Sequence, residues 1–294
     1  MIKLIACDLD GTVFDDHKNI DSDLKEIVDR LREKGIEFTV VSGRSRELLR
    51  KVLDHFQIDA PFITNNGADI FHGDECICID GIPKDLTDPL CHLFCDSDIV
   101  FRAYSHEAIY KYGESDFFSS RLRPVTQPIL PYDPETSLSG KDIIKITGDF
   151  IGHEDLIEPF REKILSHPEL DYTRAEGLIY CVNSATANKG TALEKVCEYM
   201  RIDIRDTMAF GDSENDLEML KKAGIGVAMA NGEEKVRKEA DFEDSRECHY
   251  QSRHCSKGSN HCRQRQPFDG RRACGTRCHR WEWCYHRQWH ETCR

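Results

Sequence analysis

The chain has 294 residues with 40 Lys or Arg and 53 Asp or Glu, which gives a formal net charge of −13. This length accommodates one large or two medium-sized domains, and the acidic balance argues against a general nucleic-acid binder, which needs a basic surface. No apolar run approaches the roughly 18–20 residues of a membrane span, and the N-terminus lacks the pattern of a secretory signal. We therefore expect a cytoplasmic protein without membrane contact.

The first 80 residues alternate between two kinds of segment. Short apolar segments predict buried strands, and the amphipathic segments between them predict helices. The predicted strands are Lys3–Cys7, Ile36–Val41 and Pro61–Thr64, and the predicted helices are Asp21–Lys34 and Ser45–Phe56. Strands that alternate with helices favour a parallel sheet covered by helices.

The same alternation returns after a long intervening segment. The later elements are helix Lys189–Met200, strand Thr207–Phe210, helix Glu214–Lys222, strand Ile225–Met229 and helix Glu233–Glu239. The intervening residues predict further strands at Ile99–Ala103, Ala108–Tyr112, Asp142–Thr147 and Leu178–Val182. We therefore predict a doubly wound, Rossmann-like α/β core at residues 1–81 and 184–242, interrupted by an α+β cap domain at residues 82–183.

Two carboxylates follow the first predicted strand. Asp8 and Asp10 are two residues apart and share a strand face, whereas Cys7 and Leu9 lie on the alternate face and are interpreted as core residues. Like charges this close are unfavourable unless a cation binds them or one of them is protonated. The pair therefore indicates a metal site with an acid/base group, and a solvated acidic turn is the structural alternative.

Polar groups also follow other predicted strands or begin a helix. Ser42, Gly43 and Arg44 offer a hydroxyl and turn amides before a helix, where an anion is favoured. Lys189 starts the helix that re-enters the core, and Gly211–Asp216 follows a late strand. Taken singly, these are an ordinary turn, a surface lysine and an acidic helix start. Open parallel sheets bind ligands at their carboxyl ends, however, and this favours one shared site.

Five motifs together match a known pattern. They are DLDGT at residues 8–12, SGR at 42–44, NNGA at 65–68, NKG at 188–190 and GDSEND at 211–216. Over residues 1–242 the chain resembles phosphohydrolases of the haloacid dehalogenase superfamily, in particular the Cof-type subfamily, whose cap is inserted between the second and third motifs. The resemblance implies the doubly wound core of this family with an inserted α+β cap.

The resemblance also implies a mechanism. Asp8 would be the nucleophile that forms an aspartyl-phosphate, and Asp10 would protonate the leaving oxygen and then deprotonate the hydrolytic water. Mg²⁺ would be held by Asp8, the backbone carbonyl of Asp10 and Asp212. Asp216 would orient this site from behind the ligands or through water.

Phosphate-binding residues are implied in the same way. Ser42, Gly43 and Lys189 would hold the phosphoryl oxygens, and Asn215 would contact the phosphate. Substrate identity lies in the cap, where a structural role is favoured for each of the candidate contact residues. These candidates are Arg102, Tyr104, Arg121, Arg123 and Asn183.

The leading hypothesis for function is a Mg²⁺-dependent phosphatase of small phosphorylated metabolites. Sugar phosphates, flavin mononucleotide and pyridoxal phosphate all fit the resemblance, and the oligomeric state is open. A phosphosugar mutase is the enzymatic alternative, because it uses the same aspartyl-phosphate but returns the phosphoryl group to a sugar. An alternative of another class is a metal- or thiol-binding regulatory protein that acts through the C-terminal tail.

Residues 243–294 form a tail that differs from the rest of the chain. They contain 11 basic and 6 acidic side chains, against 29 and 47 in residues 1–242, and no Leu, Ile, Val or Met. Seven of the 14 Cys and 6 of the 13 His lie there, without the paired spacing of a zinc module. The terminal helix that the family pattern predicts is missing. Out-of-frame translation explains this composition best; a disordered appendage and a genuine metal-binding extension are the alternatives.

Overall fold

The computed structural model describes residues 1–15, 18–120 and 127–244. Most of the predicted tail, residues 245–294, lies outside the described residues, as do the candidate cap contacts Arg121 and Arg123. Within the described part, no helix is long and apolar enough to cross a membrane. The chain falls into two compact units, one of residues 1–38 with the residues from Ile204 onward, and one of residues 39–203.

Fourteen strands and eight α-helices make up the described chain. The strands are β1 (Leu4–Cys7), β2 (Glu37–Val40), β3 (Phe62–Thr64), β4 (Asp69–His72), β5 (Glu75–Ile79), β6 (Val100–Tyr104), β7 (Ile109–Tyr112), β8 (Ile129–Pro131), β9 (Lys145–Asp149), β10 (Leu170–Glu176), β11 (Ile179–Ser184), β12 (Thr207–Gly211), β13 (Ile225–Met229) and β14 (Phe242–Asp244). The helices are α1 (Leu24–Glu33), α2 (Arg46–Phe56), α3 (Lys84–Asp96), α4 (Asp116–Ser120), α5 (Ile157–Leu165), α6 (Lys189–Met200), α7 (Leu217–Lys222) and α8 (Glu234–Glu239).

The first unit is built on an open sheet with the strand order β14-β13-β12-β1-β2, and the division between the units falls inside β2. β1 pairs with β12, β12 with β13 and β13 with β14, all in parallel. β1, β12 and β13 are buried along their whole length, as parallel strands usually are. The strand order reverses at β1, because β2 lies on one side of it and β12 on the other. This arrangement confirms the predicted doubly wound core.

Helix α1 shows how a local side chain sets the boundary of an element. Its buried residues at helical spacing are Leu24, Ile27, Val28 and Leu31. Burying each of them contributes roughly 1.5–3 kcal/mol to folding. The helix begins three residues later than predicted, because Asp21 Oδ1 accepts a hydrogen bond from the backbone of Asp23 at 3.0 Å and holds this segment in a turn.

The second unit contains a six-stranded sheet with the order β10-β11-β9-β6-β7-β8. β6 pairs antiparallel with β7 and β9, and β11 pairs antiparallel with β9 and β10. A buried aromatic cluster joins Phe101 of this sheet to Phe94 of α3, Phe160 of α5 and Phe150. Sheet and helices together form the α+β unit expected of the cap. The domain boundaries at residues 81–82 and 183–184 stay a prediction.

The strand predicted at Pro61–Thr64 pairs differently from the prediction. It forms β3 of a separate three-stranded sheet with the order β3-β4-β5, and β3 runs antiparallel to β4, with Phe62 opposite Phe71. The turn Asn65–Gly67 reverses the chain directly after β3, because all three of its residues have positive φ. In the described residues, the predicted parallel pairing of β3 is limited to an isolated bridge between Val41 and Ile63.

Candidate active site

Three carboxylates meet at the carboxyl ends of β1 and β12 in the first unit. Asp8, Asp212 and Asp216 each offer an oxygen atom, and these atoms lie within 4.8 Å of one another. Asp8 is fixed by the register of the two strands, since its backbone N–H donates to Phe210 O at 2.9 Å. The structure therefore brings together three of the acids that the sequence places at strand ends.

Asp216 reaches the cluster through the turn that starts α7. Its Oδ2 accepts hydrogen bonds from the backbone amides of Asp212 at 3.0 Å and Ser213 at 3.1 Å. The bond from Ser213, the N-cap residue, is part of a capping box. The side chain is completely buried. A Cβ on Gly211 would lie 2.5 Å from Asp216 Cβ, so a glycine is required for this close approach. The GDSEND motif is thus both a helix start and the source of two clustered acids.

Gly11 and Thr12 surround the Asp212 carboxylate. Gly11 has a φ of +85°, and a Cβ there would lie 2.3 Å from Asp212 Oδ2, so that only glycine fits. Thr12 Oγ1 donates to Asp212 Oδ1 at 3.5 Å. The backbone carbonyl of Asp212 accepts from Glu233 N at 2.8 Å. These contacts hold the Asp212 side chain next to the residues that follow β1.

The cluster has the chemistry of a divalent-cation site. Asp8 and Asp216 are buried and Asp212 is half-buried, and three carboxylates this close repel each other. Carboxylate oxygens are the ligands that Mg²⁺ and Ca²⁺ prefer in proteins. A bound cation would offset this repulsion, and the residues present therefore fit such an ion.

Asp10 has a different environment from Asp8. Its side chain is 42% exposed and pairs with Lys18, whose Nζ lies 2.6 Å from Asp10 Oδ1. β1 ends at Cys7, so the strand alternation that predicts both carboxylates on one face does not extend as far as Asp10. The predicted metal contact of its backbone carbonyl stays a prediction.

Two residues near these acids escape the sequence analysis. Lys18, the partner of Asp10, follows no strand and gives no local signal. Asn231 comes two residues after β13, and its Nδ2 donates to Gly11 O at 2.9 Å. The rule that singles out polar residues after the other parallel strands applies equally to β13 and identifies Asn231.

Asn215 is exposed on the same turn as Asp212 and Asp216. Its Oδ1 accepts a hydrogen bond from Ser213 Oγ at 2.6 Å. This contact turns the amide group, which is the donor end of the side chain, away from Ser213. A donor at this position suits an anionic ligand, and the predicted phosphate contact stays a prediction.

The second unit holds Ser42 and Gly43 in a fixed turn. Ser42 is buried, its N–H donates to Ile63 O at 3.0 Å, and its hydroxyl accepts from Arg44 N at 3.1 Å. Its carbonyl accepts from Asn66 N at 3.0 Å. A Cβ on Gly43 would lie 2.8 Å from Asn66 Oδ1, so the segment packs directly on the turn Asn65–Gly67.

Lys189 begins α6 in the same unit. Asn188 caps this helix by accepting from Thr191 N at 2.9 Å, and Lys189 is only 1% exposed. This burial shows that the interpretation as a surface lysine is wrong. Burying an ammonium group is costly unless the charge is paired, so a buried lysine indicates a specific role. Gly67, with a φ of +102°, lies against Asn188, where a Cβ would be 2.3 Å from Asn188 O. One turn, Asn65–Gly67, thus contacts both the Ser42 segment and the start of α6.

Cys7 is confirmed as a core residue. Its side chain is fully buried, and burial raises the pKa of its thiol well above the usual value, with the charge of Asp8 adding to the shift. A thiol with a raised pKa carries little of the reactive thiolate at neutral pH.

Comparisons with known proteins agree with this geometry. A family model described as haloacid dehalogenase-like hydrolase matches residues 5–246. The putative phosphatase YkrA of Bacillus subtilis is 30% identical over 245 residues, covering 82% of this chain and 91% of its own length. The 5-amino-6-(5-phospho-D-ribitylamino)uracil phosphatase YcsE of the same organism is 27% identical over 241 residues, covering 82% and 89%.

Solved structures show the same fold. BT1666 from Bacteroides thetaiotaomicron, from a study of phosphatases of the haloalkanoate superfamily, has a TM-score of 0.67 and 27% identity, covering 83% of this chain and 89% of its own. A protein from Thermotoga maritima has a TM-score of 0.72 and 24% identity, covering 83% and 92%.

Proposed function

The chain belongs to the haloacid dehalogenase superfamily as a Cof-type phosphohydrolase, and from this premise we propose that it is a Mg²⁺-dependent phosphatase that works through an aspartyl-phosphate. It is a phosphoric monoester hydrolase, since the family model covers most of the chain and its curated relatives are phosphatases. The observation that carries the proposal is the carboxylate cluster of Asp8, Asp212 and Asp216 at the carboxyl ends of β1 and β12.

Asp8 is the proposed nucleophile. One of its carboxylate oxygens attacks phosphorus, the bond between phosphorus and the ester oxygen breaks, and the phosphoryl group is left on Asp8. Water then attacks the same phosphorus, the acyl-phosphate bond breaks, and inorganic phosphate and the free carboxylate are released. The buried position of Asp8 supports this role, because a buried carboxylate is less hydrated and closer in free energy to its reacting state.

Asp10 is the proposed acid and base. It donates a proton to the leaving oxygen in the first step and takes a proton from water in the second, so that its charge is restored after each turnover. Its exposed side chain supports this role, since both the leaving group and water need access to it. The different surroundings of Asp8 and Asp10 support different functions for the two carboxylates.

Mg²⁺ is the proposed cofactor, held by Asp8, the backbone carbonyl of Asp10 and Asp212. When bound, the ion supplies positive charge that offsets the repulsion between the Asp8 carboxylate and the phosphate. Asp216 supports this site from its buried position, where Oδ2 is held by backbone amides and the carboxylate keeps its place in the cluster.

Phosphate binding is assigned to Ser42, Gly43, Lys189 and Asn215 in this proposal. The burial of Lys189 and the fixed turn at Ser42 support it, because preorganised donors stabilise developing negative charge. Small phosphorylated metabolites are the proposed substrates, in line with relatives named as phosphatases of 5-amino-6-(5-phospho-D-ribitylamino)uracil, HMP-PP and phosphoglycolate.

The test is turnover of p-nitrophenyl phosphate with Mg²⁺ by the wild-type chain and by Asp8→Asn. We expect the variant to lose on the order of 10⁴-fold or more in kcat, because the nucleophile is removed while the size of the side chain is kept. Asp29→Asn is the matched control: this carboxylate lies on α1 and pairs with Lys25 and Arg32, and we expect normal turnover. Full activity in folded Asp8→Asn would exclude Asp8 as the nucleophile.

A chemical trap identifies the intermediate itself. Acid-quenched turnover mixtures are treated with borohydride, which reduces an acyl-phosphate to an alcohol and so converts a phosphorylated aspartate into homoserine. We expect mass spectrometry to find homoserine at position 8 only. Release of inorganic phosphate from p-nitrophenyl phosphate distinguishes a hydrolase from a phosphosugar mutase, which would transfer the group to a sugar.

A further inference from the structure

A row of three polar side chains crosses the six-stranded sheet of the second unit. Lys145 of β9 lies opposite Tyr104 of β6 and Asn183 of β11 in the strand register. Their neighbours Ile146 and Val182 are buried in the aromatic core on one face. Because side chains alternate along a strand, the row of Tyr104, Lys145 and Asn183 lies on the opposite face.

Lys145 makes two contacts on this face. Its Nζ lies 5.0 Å from the centre of the Tyr104 ring, and it donates to Asn65 Oδ1 at 3.3 Å. Asn65 is held in place, since its Nδ2 donates to the two carboxylate oxygens of buried Asp69 at 3.2 and 3.1 Å. The ammonium group of Lys145 is therefore positioned by an oriented amide and an aromatic ring.

Two other cations of the same sheet share an acidic partner. Arg102 and Lys111 face each other in the register and both pair with Glu114. Within the described part of the chain, half-buried Lys145 has no carboxylate partner, and its hydrogen-bond acceptor is neutral. A lysine ammonium has three donors, and a half-buried charge that is not neutralised favours an anion.

Tyr104 adds a second donor beside Lys145. Its side chain is half-buried, and burial raises the pKa of its phenol to about 12, with the neighbouring Cys181 adding to the shift and Arg102 opposing it. The hydroxyl therefore stays protonated at working pH and can donate to an anionic oxygen.

The Lys145 site is connected to the proposed phosphate-binding residues. Asn65 begins the turn Asn65–Gly67, which contacts Ser42 through Asn66 and the start of α6 through Gly67. Since all of these residues belong to the second unit, Lys145 is one hydrogen bond away from the turn that supports Ser42 and Lys189.

We propose that Lys145 is a specificity residue that binds an anionic oxygen on the leaving group of the substrate, with Tyr104 as a second donor. The preferred substrates are then phosphomonoesters that carry a second anionic group, a carboxylate or another phosphate, rather than neutral sugar or polyol phosphates. This inference rests on the proposed function, because it takes the turn Asn65–Gly67 to border the phosphate-binding residues.

The test compares substrate pairs that differ in one charge. 3-Phosphoglycerate and glycerol 3-phosphate differ in a carboxylate against a hydroxymethyl group, and fructose 1,6-bisphosphate and fructose 6-phosphate differ in a second phosphate. We expect the wild-type chain to have the higher kcat/KM for the anionic member of at least one pair. In Lys145→Met, KM for that substrate rises about tenfold or more, with kcat changed by less than about threefold.

Three further variants separate the effect of the Lys145 charge from that of its hydrogen bond and of another cation on the sheet. Lys145→Gln removes the charge but keeps a donor for Asn65, and we expect it to lose the same discrimination. Lys145→Arg keeps the charge and retains the preference in part. Lys111→Met removes a cation from the same sheet face that is already paired with Glu114, and we expect no change in the preference.

Turnover of p-nitrophenyl phosphate separates this inference from the proposed function. If the wild-type chain and the Lys145 variants hydrolyse it equally well, the proposed function stands. The paired substrates then decide whether Lys145 binds a second anionic group. Wild-type preference for the neutral member of both pairs overturns the inference, and so does an equal loss on charged and neutral substrates in Lys145→Gln. Failure of the proposed function is different, because the wild-type chain would then not hydrolyse p-nitrophenyl phosphate at all.

Discussion

The two units use carboxylates of low exposure in opposite ways. In the first unit, Asp8, Asp212 and Asp216 converge, so that like charges lie within 4.8 Å. In the second unit, one carboxylate, Asp80, is surrounded by donors: Lys195 Nζ at 2.7 Å, Ser184 Oγ at 2.8 Å and Thr186 Oγ1 at 2.8 Å. Carboxylates that converge repel each other, which a bound cation would offset, whereas the donors around Asp80 stabilise its charge. Converging acids therefore indicate a cation site, and an acid surrounded by donors indicates a structural role.

Among the variants that test this comparison, Asp216→Asn is expected to show the largest measured change. The amide oxygen can still accept from the backbone of Asp212 and Ser213, so the turn should be kept, but one charge of the cluster is lost. We expect Mg²⁺ affinity, measured as the Mg²⁺ concentration for half-maximal activity, to fall about 10–100-fold. Without metal, the variant should be as stable as the wild type or more so, because repulsion between carboxylates is reduced.

Glu214→Gln is the matched control for Asp216→Asn. Glu214 belongs to the same turn but is exposed and pairs with Lys235, and pairs of this kind contribute little to stability. We expect its Mg²⁺ dependence to be that of the wild type. An unchanged Mg²⁺ dependence in Asp216→Asn, or a lower stability of the metal-free variant, would contradict the functional reading of the cluster.

Asp80→Asn tests whether an acid surrounded by donors has a structural role, and it should change stability but not activity. Asp80 is 12% exposed and Lys195 33% exposed, so the pair is partly screened, and we expect a loss of about 1–2 kcal/mol in the free energy of unfolding. Urea denaturation measures this loss, with kcat and the Mg²⁺ dependence of activity unchanged. Asp29→Asn, which removes the half-buried ion pairs with Lys25 and Arg32 on α1, is the control and should lose less than about 0.5 kcal/mol.

The pKa of Asp80 determines how its contribution to stability changes with pH. Burial by itself would raise the pKa, but the hydrogen bonds from Lys195, Ser184 and Thr186 outweigh it and lower the pKa below its ordinary value of 3.8. The contribution is therefore present above this ordinary value and is lost as the pH falls through the lower, folded-state pKa. The difference in stability between wild type and Asp80→Asn should shrink in acid below about pH 4.

The two arrangements also differ in how far the sequence predicts them. Asp212 and Asp216 are four positions apart, and the rule for parallel strand ends places Asp8 beside them. Asp80 and Lys195 are 115 positions apart, and Lys145 and Asn65 are 80 apart. Such pairs depend on strand register and on turns that no local pattern specifies.

Errors in the predicted fold have the same physical origin. β3 leaves the parallel sheet because the turn Asn65–Gly67 has positive φ at residues that are not all glycine, and the sequence gives little warning of that. β10 has no counterpart among the predicted strands, since the charges of Asp171 and Arg174 interrupt its apolar pattern. α6 and β13 agree with prediction because local apolar patterns and caps determine their ends.

A second acid of the second unit, the buried Asp69, extends the comparison to alkaline pH. His106 Nε2 lies 2.7 Å from Asp69 Oδ2, and Thr64 and Asn65 also donate to this carboxylate. Burial by itself would lower the pKa of His106, but the hydrogen bonds with Asp69 and Cys76 and the charge of Asp69 outweigh it and raise the pKa to about 10. Asp69 is therefore neutralised like Asp80, with a histidine in the place of the lysine.

His106→Gln should remove a contribution to stability that changes with pH in the direction opposite to that of Asp80. A folded-state pKa of about 10, against an ordinary 6.5, means that the contribution is fully present below about pH 6.5 and is lost as the pH rises towards 10. We expect His106→Gln to be less stable by about 1–2 kcal/mol at pH 6 and close to wild type near pH 10. Urea denaturation at both pH values measures this, with His92→Gln, an exposed histidine that contacts Pro134 O, as control. An equal difference in stability at both pH values would show that the histidine contributes packing rather than charge.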